Sequence, residues 1–244
     1  MNVRNLIEQK LDQNKLIHMT WLDIEKITEV DLEPILEKFF QQNTDVVVLA
    51  GVQTDQIYDK TARLAKEMGS LPVFSFLTDY FSITPNVDRI LVGYLLNSSD
   101  SYYALDLQIK CAPLIKLSGV ETIPVGYMIL EQNGTTLCGW IPRAHPVPSK
   151  DVELAIKYAA VAKLKNASFL ILDAGKENLV DVEIVRGLSE QVNIPIAIGG
   201  RKLSKNNIKE YVSAGANIII SYVSSDRDLE NISEIIPYLK QGNK

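Results

Sequence analysis

Eight short apolar runs, most of them continuous rather than alternating, constrain this chain more than any other feature. They are LIHMTWL (16–22), DVVVLA (45–50), LPVFSF (71–76), DRILVGYLL (88–96), TIPVGYMIL (122–130), ASFLILD (167–173), IPIAIGG (194–200) and ANIIISY (216–222). A strand with one wet face repeats its apolar residues with period two, whereas a strand covered on both faces has no polar side to show. Runs such as VVVLA and FLIL therefore predict parallel strands buried between layers. The covering layer is legible in the amphipathic stretches VDLEPILEKFFQQ (30–42), DQIYDKTARLAKEMG (55–69), SYYALDLQIKCAPLIKL (101–117), DVELAIKYAAVAKLK (151–165), LVDVEIVRGLSEQV (179–192) and KNNIKEYVSAGA (205–216). Strands alternating with helices over 244 residues predict an α/β chain folded as a (β/α)8 barrel, one domain spanning residues 1–244. An open doubly wound sheet is the runner-up, weakened because no G-x-G-x-x-G follows the first run.

Two connections depart from the ideal. LTDYFSITPNV (77–87) contains Pro85 and too many polar residues for a full helix. EQNGTTLCGWIPRAHPVPSK (131–150) carries three prolines and Asn133-Gly134, which predicts a hairpin turn and loop, with Trp140 exposed as a possible interface element.

Charge and cysteine usage narrow the partners. A net charge of −5 argues against a nucleic-acid surface. Cys111 and Cys138 lie far apart, without partners at metal-ligand spacing, which suits a reducing cytoplasm. MNVRNLIEQKLDQNK (1–15) has an amphipathic helix pattern and lacks the apolar run of a signal peptide. No apolar stretch approaches the ~18 residues of a membrane span. The expectation is a soluble cytoplasmic protein.

In a barrel of this kind, chemistry gathers at the C-terminal ends of the strands. Those ends carry Asp23, Glu25 and Lys26 after the first run, Gly51 and Thr54 after the second, and Asn97 after the fourth. Asp173 and Gly175 follow the sixth, Gly199-Gly200 the seventh, and Ser221 belongs to the eighth. Asp173, in FLILDAGKEN (169–178), is open to two readings: a loop or capping acid, or a carboxylate presented to a ligand. Paired glycines suit a phosphate cradled by backbone N–H groups. Tyr94, Tyr127 and Tyr222 are read as core residues, with an apolar channel as the other reading.

These residues resemble the geranylgeranylglyceryl phosphate synthase family, prenyltransferases of archaeal membrane-lipid synthesis with bacterial relatives. HMTWLDIEK (18–26) is similar to the family's H-x-T-x-x-D-P-D-K, and ITPNVDRILVGYLLNSSDSYY (83–103) to its fourth-strand pattern. ETIPVGYMIL (121–130) resembles its Ile-Pro-x-x-Tyr strand, and PRAHPVPSKD (142–151) the loop that follows. LILDAGKEN resembles Tyr-Leu-Glu-Ala-Gly-Ser-Gly, and IPIAIGG resembles Pro-x-x-x-Gly-Gly-Gly. The resemblance implies a modified TIM (β/α)8 barrel whose third helix is replaced by an irregular segment. It implies ether formation between sn-glycerol 1-phosphate and a long prenyl diphosphate such as geranylgeranyl diphosphate, with Mg²⁺ as cofactor and a homo-oligomer, dimer or hexamer. Carried over position by position, it implies Asp173 as general base and Asp23 with Thr54 at the metal. Around the two substrates it places Lys26, Ile171, Leu172, Ala174, Gly175, Gly199, Gly200, Arg201, Ser221 and Tyr222.

The chain departs from the family on its ligand loops. Asp173 stands for Glu, which puts the carboxylate about 1.5 Å nearer its strand. Ala50-Gly51-Val52 stands for Gly-Gly-Ser/Thr, so without a gap the metal's hydroxyl ligand is lost, and with a one-residue slide that brings in Gln53 or Thr54, Thr54 substitutes for it. Lys176-Glu177 replaces Ser-Gly, Arg201 a third glycine, Ser221-Tyr222-Val223 a Thr-Gly-Thr, and Ile171 a tyrosine. Arg201 and Lys176 offer charge where backbone donors are lost. The alternative is an inactive paralogue acting as a binding or structural subunit. A sugar-phosphate isomerase ranks third, because His18 and His145 are both explained by the family pattern.

Overall fold

The computed structural model of the chain describes residues 7, 10, 15–26, 29–41, 44–69, 71–131, 143–175, 178–200 and 203–241. Most of the 1–15 helix pattern, the 132–142 turn with Cys138 and Trp140, and Lys176, Glu177 and Arg201 lie outside the described residues.

Each apolar run is a strand: β1 Ile17–Asp23, β2 Val46–Ala50, β3 Val73–Phe76, β4 Arg89–Leu95, β5 Thr122–Ile129, β6 Phe169–Asp173, β7 Ile196–Gly200 and β8 Ile218–Val223. They follow one another in chain order round a closed barrel. The paired strands are parallel, as continuous apolar runs require. Helices α1 Glu29–Gln41, α2 Asp55–Met68, α3 Leu107–Ser118, α4 Val152–Leu164, α5 Val182–Gln191, α6 Lys205–Ala214 and α7 Asp226–Gln241 lie between and after them. A Tyr102–Asp106 π turn leads into α3, so the helix read at 101–117 begins with a wider coil.

No α-helix is described in the third connection. After β3 there is a 3₁₀ turn, Tyr80–Ser82, capped by Asp79, before the chain enters β4. Polar clamps take the place of a helical face. Thr84 Oγ1 and Asn86 Nδ2 donate to Asp59 of α2, Lys110 of α3 pairs with Asp79, and Thr78 Oγ1 donates to Gly51 O.

Contacts divide the chain into two compact units. One holds Met1–Val92, Ile109–Ile123 and Ser221–Lys244; the other holds Gly93–Gln108 and Pro124–Ile220. Each uses the same device where strands begin. The residue just before a strand donates its N–H to the preceding strand and accepts that residue's N–H on its side chain. Asp45 does this with His18 (3.0 and 2.9 Å), Asp88 with Val73 (2.7 and 2.8 Å) and Asn217 with Ile196 (2.9 and 3.0 Å). A short acid or amide thus extends the ladder by one pair and gives the edge N–H of His18, Val73 and Ile196 an acceptor.

Gly126 fixes which face of β5 meets the helix layer. A Cβ there would lie 2.8 Å from the Ala162 Cβ of α4 and 3.0 Å from Leu170 Cδ1. Even-numbered residues of β5 and β6 therefore face α4, whose own side is the small Ala155, Ala159 and Ala162. Tyr127, Ile129, Ile171 and Asp173 occupy the opposite face.

Candidate active site at the strand ends

In the unit containing β5, β6 and β7, the register sets Tyr127 beside Ile171 and Ala197, and Ile129 beside Asp173 and Gly199. Asp173 is 7% exposed, and both its oxygens are engaged. Tyr127 donates its hydroxyl to Oδ2 at 2.5 Å, and Gly175 donates its backbone N–H to Oδ1 at 2.7 Å. The second bond spans two residues, a turn that an Asp side chain closes and that a longer Glu does not reach in the same way. Gly175 has φ +79°, in the left-handed region open to glycine. The acid after the buried FLIL run is therefore both a turn former and the acceptor of a half-buried phenol. Two donors on one carboxylate fix its orientation.

Tyr127 had core packing as its default reading, and its hydroxyl instead bonds Asp173. Its signal in the sequence is indirect, since parallel pairing sets it on Asp173's face only once the β5–β6 register is known. Ile171, where the family tyrosine is absent, lies directly beside Tyr127, so a hydroxyl reaches Asp173 from the neighbouring strand. Leu172 is fully buried on the helix-facing side, paired in register with Ile198, and Ala174 is buried too. Those two offer a ligand backbone only. Gly199 lies level with Asp173 in the register. A Cβ on Gly200 would meet Leu203 Cγ at 3.3 Å, so its lack of a side chain also serves packing.

The other unit holds the second set. Asp23 ends β1 with Lys26 Nζ 2.5 Å from its Oδ2. Gly51, at φ +104°, passes so close that a Cβ would lie 3.0 Å from Asp23 Oδ1 and 3.2 Å from Glu25 N. Glycine is required there for both reasons. Thr54 caps α2, its Oγ1 accepting Ile57 N at 3.4 Å, and this hydroxyl is exposed.

Trp21, on the face of β1 that carries Asp23, stacks against Phe76 at 5.0 Å and meets Tyr222 edge-on at 5.8 Å. Ser221 and Tyr222, consecutive in β8, point to opposite faces. Ser221 Oγ is 3.0 Å from His18 Nε2, and His18 Nδ1 is 2.9 Å from Thr44 Oγ1, which also accepts from Thr20 at 3.0 Å. Thr44 Oγ1 also lies 3.1 Å from His18 O and 3.3 Å from Val46 O. The Ser221 hydroxyl thus belongs to a buried clamp between strands, and Tyr222 to an aromatic cluster.

For Mg²⁺, the chemistry of the donors is the test. Asp23 offers one hard carboxylate beside a backbone with no Cβ, which fits an ion held by a single carboxylate together with substrate phosphates. Thr54, already capping a helix, is the weaker donor. Among the described residues there is no group of three or more His, Cys, Asp or Glu able to hold a metal ion. No described helix is long and apolar enough to cross a membrane.

Comparison with known proteins gives the family and the fold. The geranylgeranylglyceryl phosphate synthase of Methanosphaera stadtmanae is 31% identical over 224 residues, 91% of each chain. That of Flavobacterium johnsoniae is 28% identical, over 92% of this chain and 93% of its own. The crystal structure of (S)-3-O-geranylgeranylglyceryl phosphate synthase from Thermoplasma acidophilum, in complex with its substrate sn-glycerol-1-phosphate, superposes with a TM-score of 0.90. It is 24% identical, covers 99% of both chains, and shares the fold. Residues 8–237 match the PcrB family, and the chain belongs to it.

Proposed function

We propose that this protein is a prenyltransferase joining sn-glycerol 1-phosphate to a long prenyl diphosphate, such as geranylgeranyl diphosphate, through an ether bond. The observation that carries this reading is the Tyr127–Asp173 pair at the strand ends, level with Gly199. It supplies an oriented carboxylate where the reaction needs a base. Relatives about as long as this chain carry the name of that synthase.

Asp173 takes the proton of the glycerol hydroxyl as that oxygen bonds to C1 of the prenyl group. The C1–oxygen bond to the diphosphate breaks with its electron pair, and pyrophosphate leaves. Tyr127 holds the carboxylate in place, while Gly175 and Gly199 let backbone approach the glycerol phosphate. Lys26 and Asp23 serve the diphosphate end, Asp23 as carboxylate ligand of Mg²⁺. That ion, when bound, neutralises charge on the leaving group. Trp21, Phe76 and Tyr222 offer an apolar wall suited to a prenyl tail. A cytoplasmic homo-oligomer formed by one domain completes the reading. Exposed Ile109, Leu114 and Leu117 of α3 support the association.

A second reading, a glycerol-phosphate binding subunit without turnover, is favoured by Ser221 and Thr54, whose hydroxyls already serve other partners. Incubation with glycerol 1-phosphate, labelled geranylgeranyl diphosphate and Mg²⁺ separates the two. Labelled ether and one pyrophosphate per product are expected. Thermal stabilisation by glycerol 1-phosphate without product supports the binding subunit instead.

A further inference from the structure

Asn97 follows β4 and is 2% exposed, yet its side chain is fully employed. Oδ1 accepts Ile129 N at 3.2 Å, while Nδ2 donates to Ile129 O and to His145 O, each at 2.8 Å. Its backbone O accepts His145 N at 2.8 Å. This is the ladder-extending device of Asp45, Asp88 and Asn217, turned round to the end of a strand and built with an amide that both donates and accepts. One residue earlier, Leu96 N donates to Tyr127 O at 2.9 Å; one residue later along β5, Leu130 N donates to Asp173 O at 2.8 Å. The Asn97 amide thus grips the residue midway between those two bonds. Ile129 in turn is the register partner of Asp173.

From this geometry we infer that Asn97 is the positioning residue of the Tyr127–Asp173 pair, acting through Ile129; the inference rests on the prenyltransferase reading. Asn97 touches neither member of the pair. Its side chain sets where β5 ends relative to β6, and that separation sets the 2.5 Å contact between phenol and carboxylate. Ile129 O also accepts Val147 N at 3.0 Å, so it is the buried Ile129 N–H that loses its partner without Asn97, and such a group shifts to find another. A shift of about 1 Å in a positioned base costs on the order of 100-fold in rate. An amide is the side chain of this size that satisfies an N–H and two carbonyls at once.

The test is a double-mutant cycle on the full-length protein. Asn97→Ser is expected to lower kcat by about 10-fold, no more than Tyr127→Phe does, while KM for both substrates stays within about twofold. In a Tyr127→Phe background the same change is expected to cost less than about twofold, because the contact it protects is already gone. A wild-type kcat for Asn97→Ser, or its full loss repeated in the Tyr127→Phe background, overturns the inference. Asn97→Asp keeps the shape but turns an oxygen on two carbonyls, and it goes through the same cycle should Asn97→Ser not fold. Absence of turnover in the wild-type protein sinks the prenyltransferase reading alone. The positioning role is then decided by a crystal structure of the variant, where a Tyr127–Asp173 hydrogen bond kept at its present length refutes it.

Discussion

Gly126 of β5 and Ala162 of α4 approach so closely that a methyl group on the glycine would lie 2.8 Å from the alanine Cβ. Neither partner is the flexible end of a long side chain, so an added carbon must move the helix. Gly126→Ala is expected to destabilise the protein by about 1–3 kcal/mol, the usual cost of overpacking a tight core. Chemical denaturation with an unchanged m-value checks it. Gly126 immediately precedes Tyr127, so a displaced strand also predicts a drop in kcat.

Gly51 combines close approach with a left-handed backbone, at φ +104°. Gly51→Ala strains the backbone by about 1 kcal/mol and pushes on Asp23 Oδ1. The expected kinetic signature is a raised KM for the prenyl diphosphate and a raised Mg²⁺ requirement, with KM for glycerol 1-phosphate little changed. Steady-state kinetics with each substrate varied in turn separates these. Equal effects on both KM values remove Asp23 from the diphosphate end.

Asp59 ties α2 to the irregular segment that stands for the third helix. Burial pushes its pKa up, but hydrogen bonds from Thr84, Asn86 and Arg63, with the Arg63 charge, outweigh it and hold the carboxyl below the usual carboxylate range. A folded-state pKa below the unfolded one gives stability that is present above the unfolded value and lost as pH falls through the folded one. Thermal melts of wild type and Asp59→Asn between pH 7 and about pH 2.5 are therefore expected to differ at neutral pH and to converge below about pH 4. A constant gap across that range excludes the carboxylate as the clamp.

All eight strands were legible in the sequence, each within two residues at either end. Burial on both faces removes polar residues from a strand, and the absence shows in one dimension. The missing third helix was legible through Pro85, because proline acts locally. The final helix α7 was not singled out, although Leu229, Ile232, Ile236 and Leu239 recur at helical spacing and are buried; Pro237 inside it breaks the local pattern. Less of the site could be read. Asp173 and Asp23 mark themselves by following apolar runs, whereas Tyr127 and Asn97 act across strands, through a register that no single stretch encodes. Ser221 shows the converse. A hydroxyl at a strand end looks available until His18, 203 residues away in sequence, is found to hold it.

Asp173 gives the most direct test of the chemistry. Asp173→Asn keeps the size of the side chain and, through its carbonyl oxygen, the bond from Gly175 N, but it removes the charge and the capacity to take a proton. Loss of a general base costs about 100- to 10,000-fold in kcat. Tyr127→Phe keeps the carboxylate but orients it less well, so the expected loss is smaller, about 10-fold. Asp173→Glu restores the acid found in the resembling family but breaks the two-residue turn to Gly175 and drives the carboxylate past the Tyr127 hydroxyl. It is therefore expected to fall below wild type rather than exceed it. Single-turnover kinetics, which exclude product release, rank the variants. A kcat for Asp173→Asn equal to wild type leaves the acid as a turn former and nothing more.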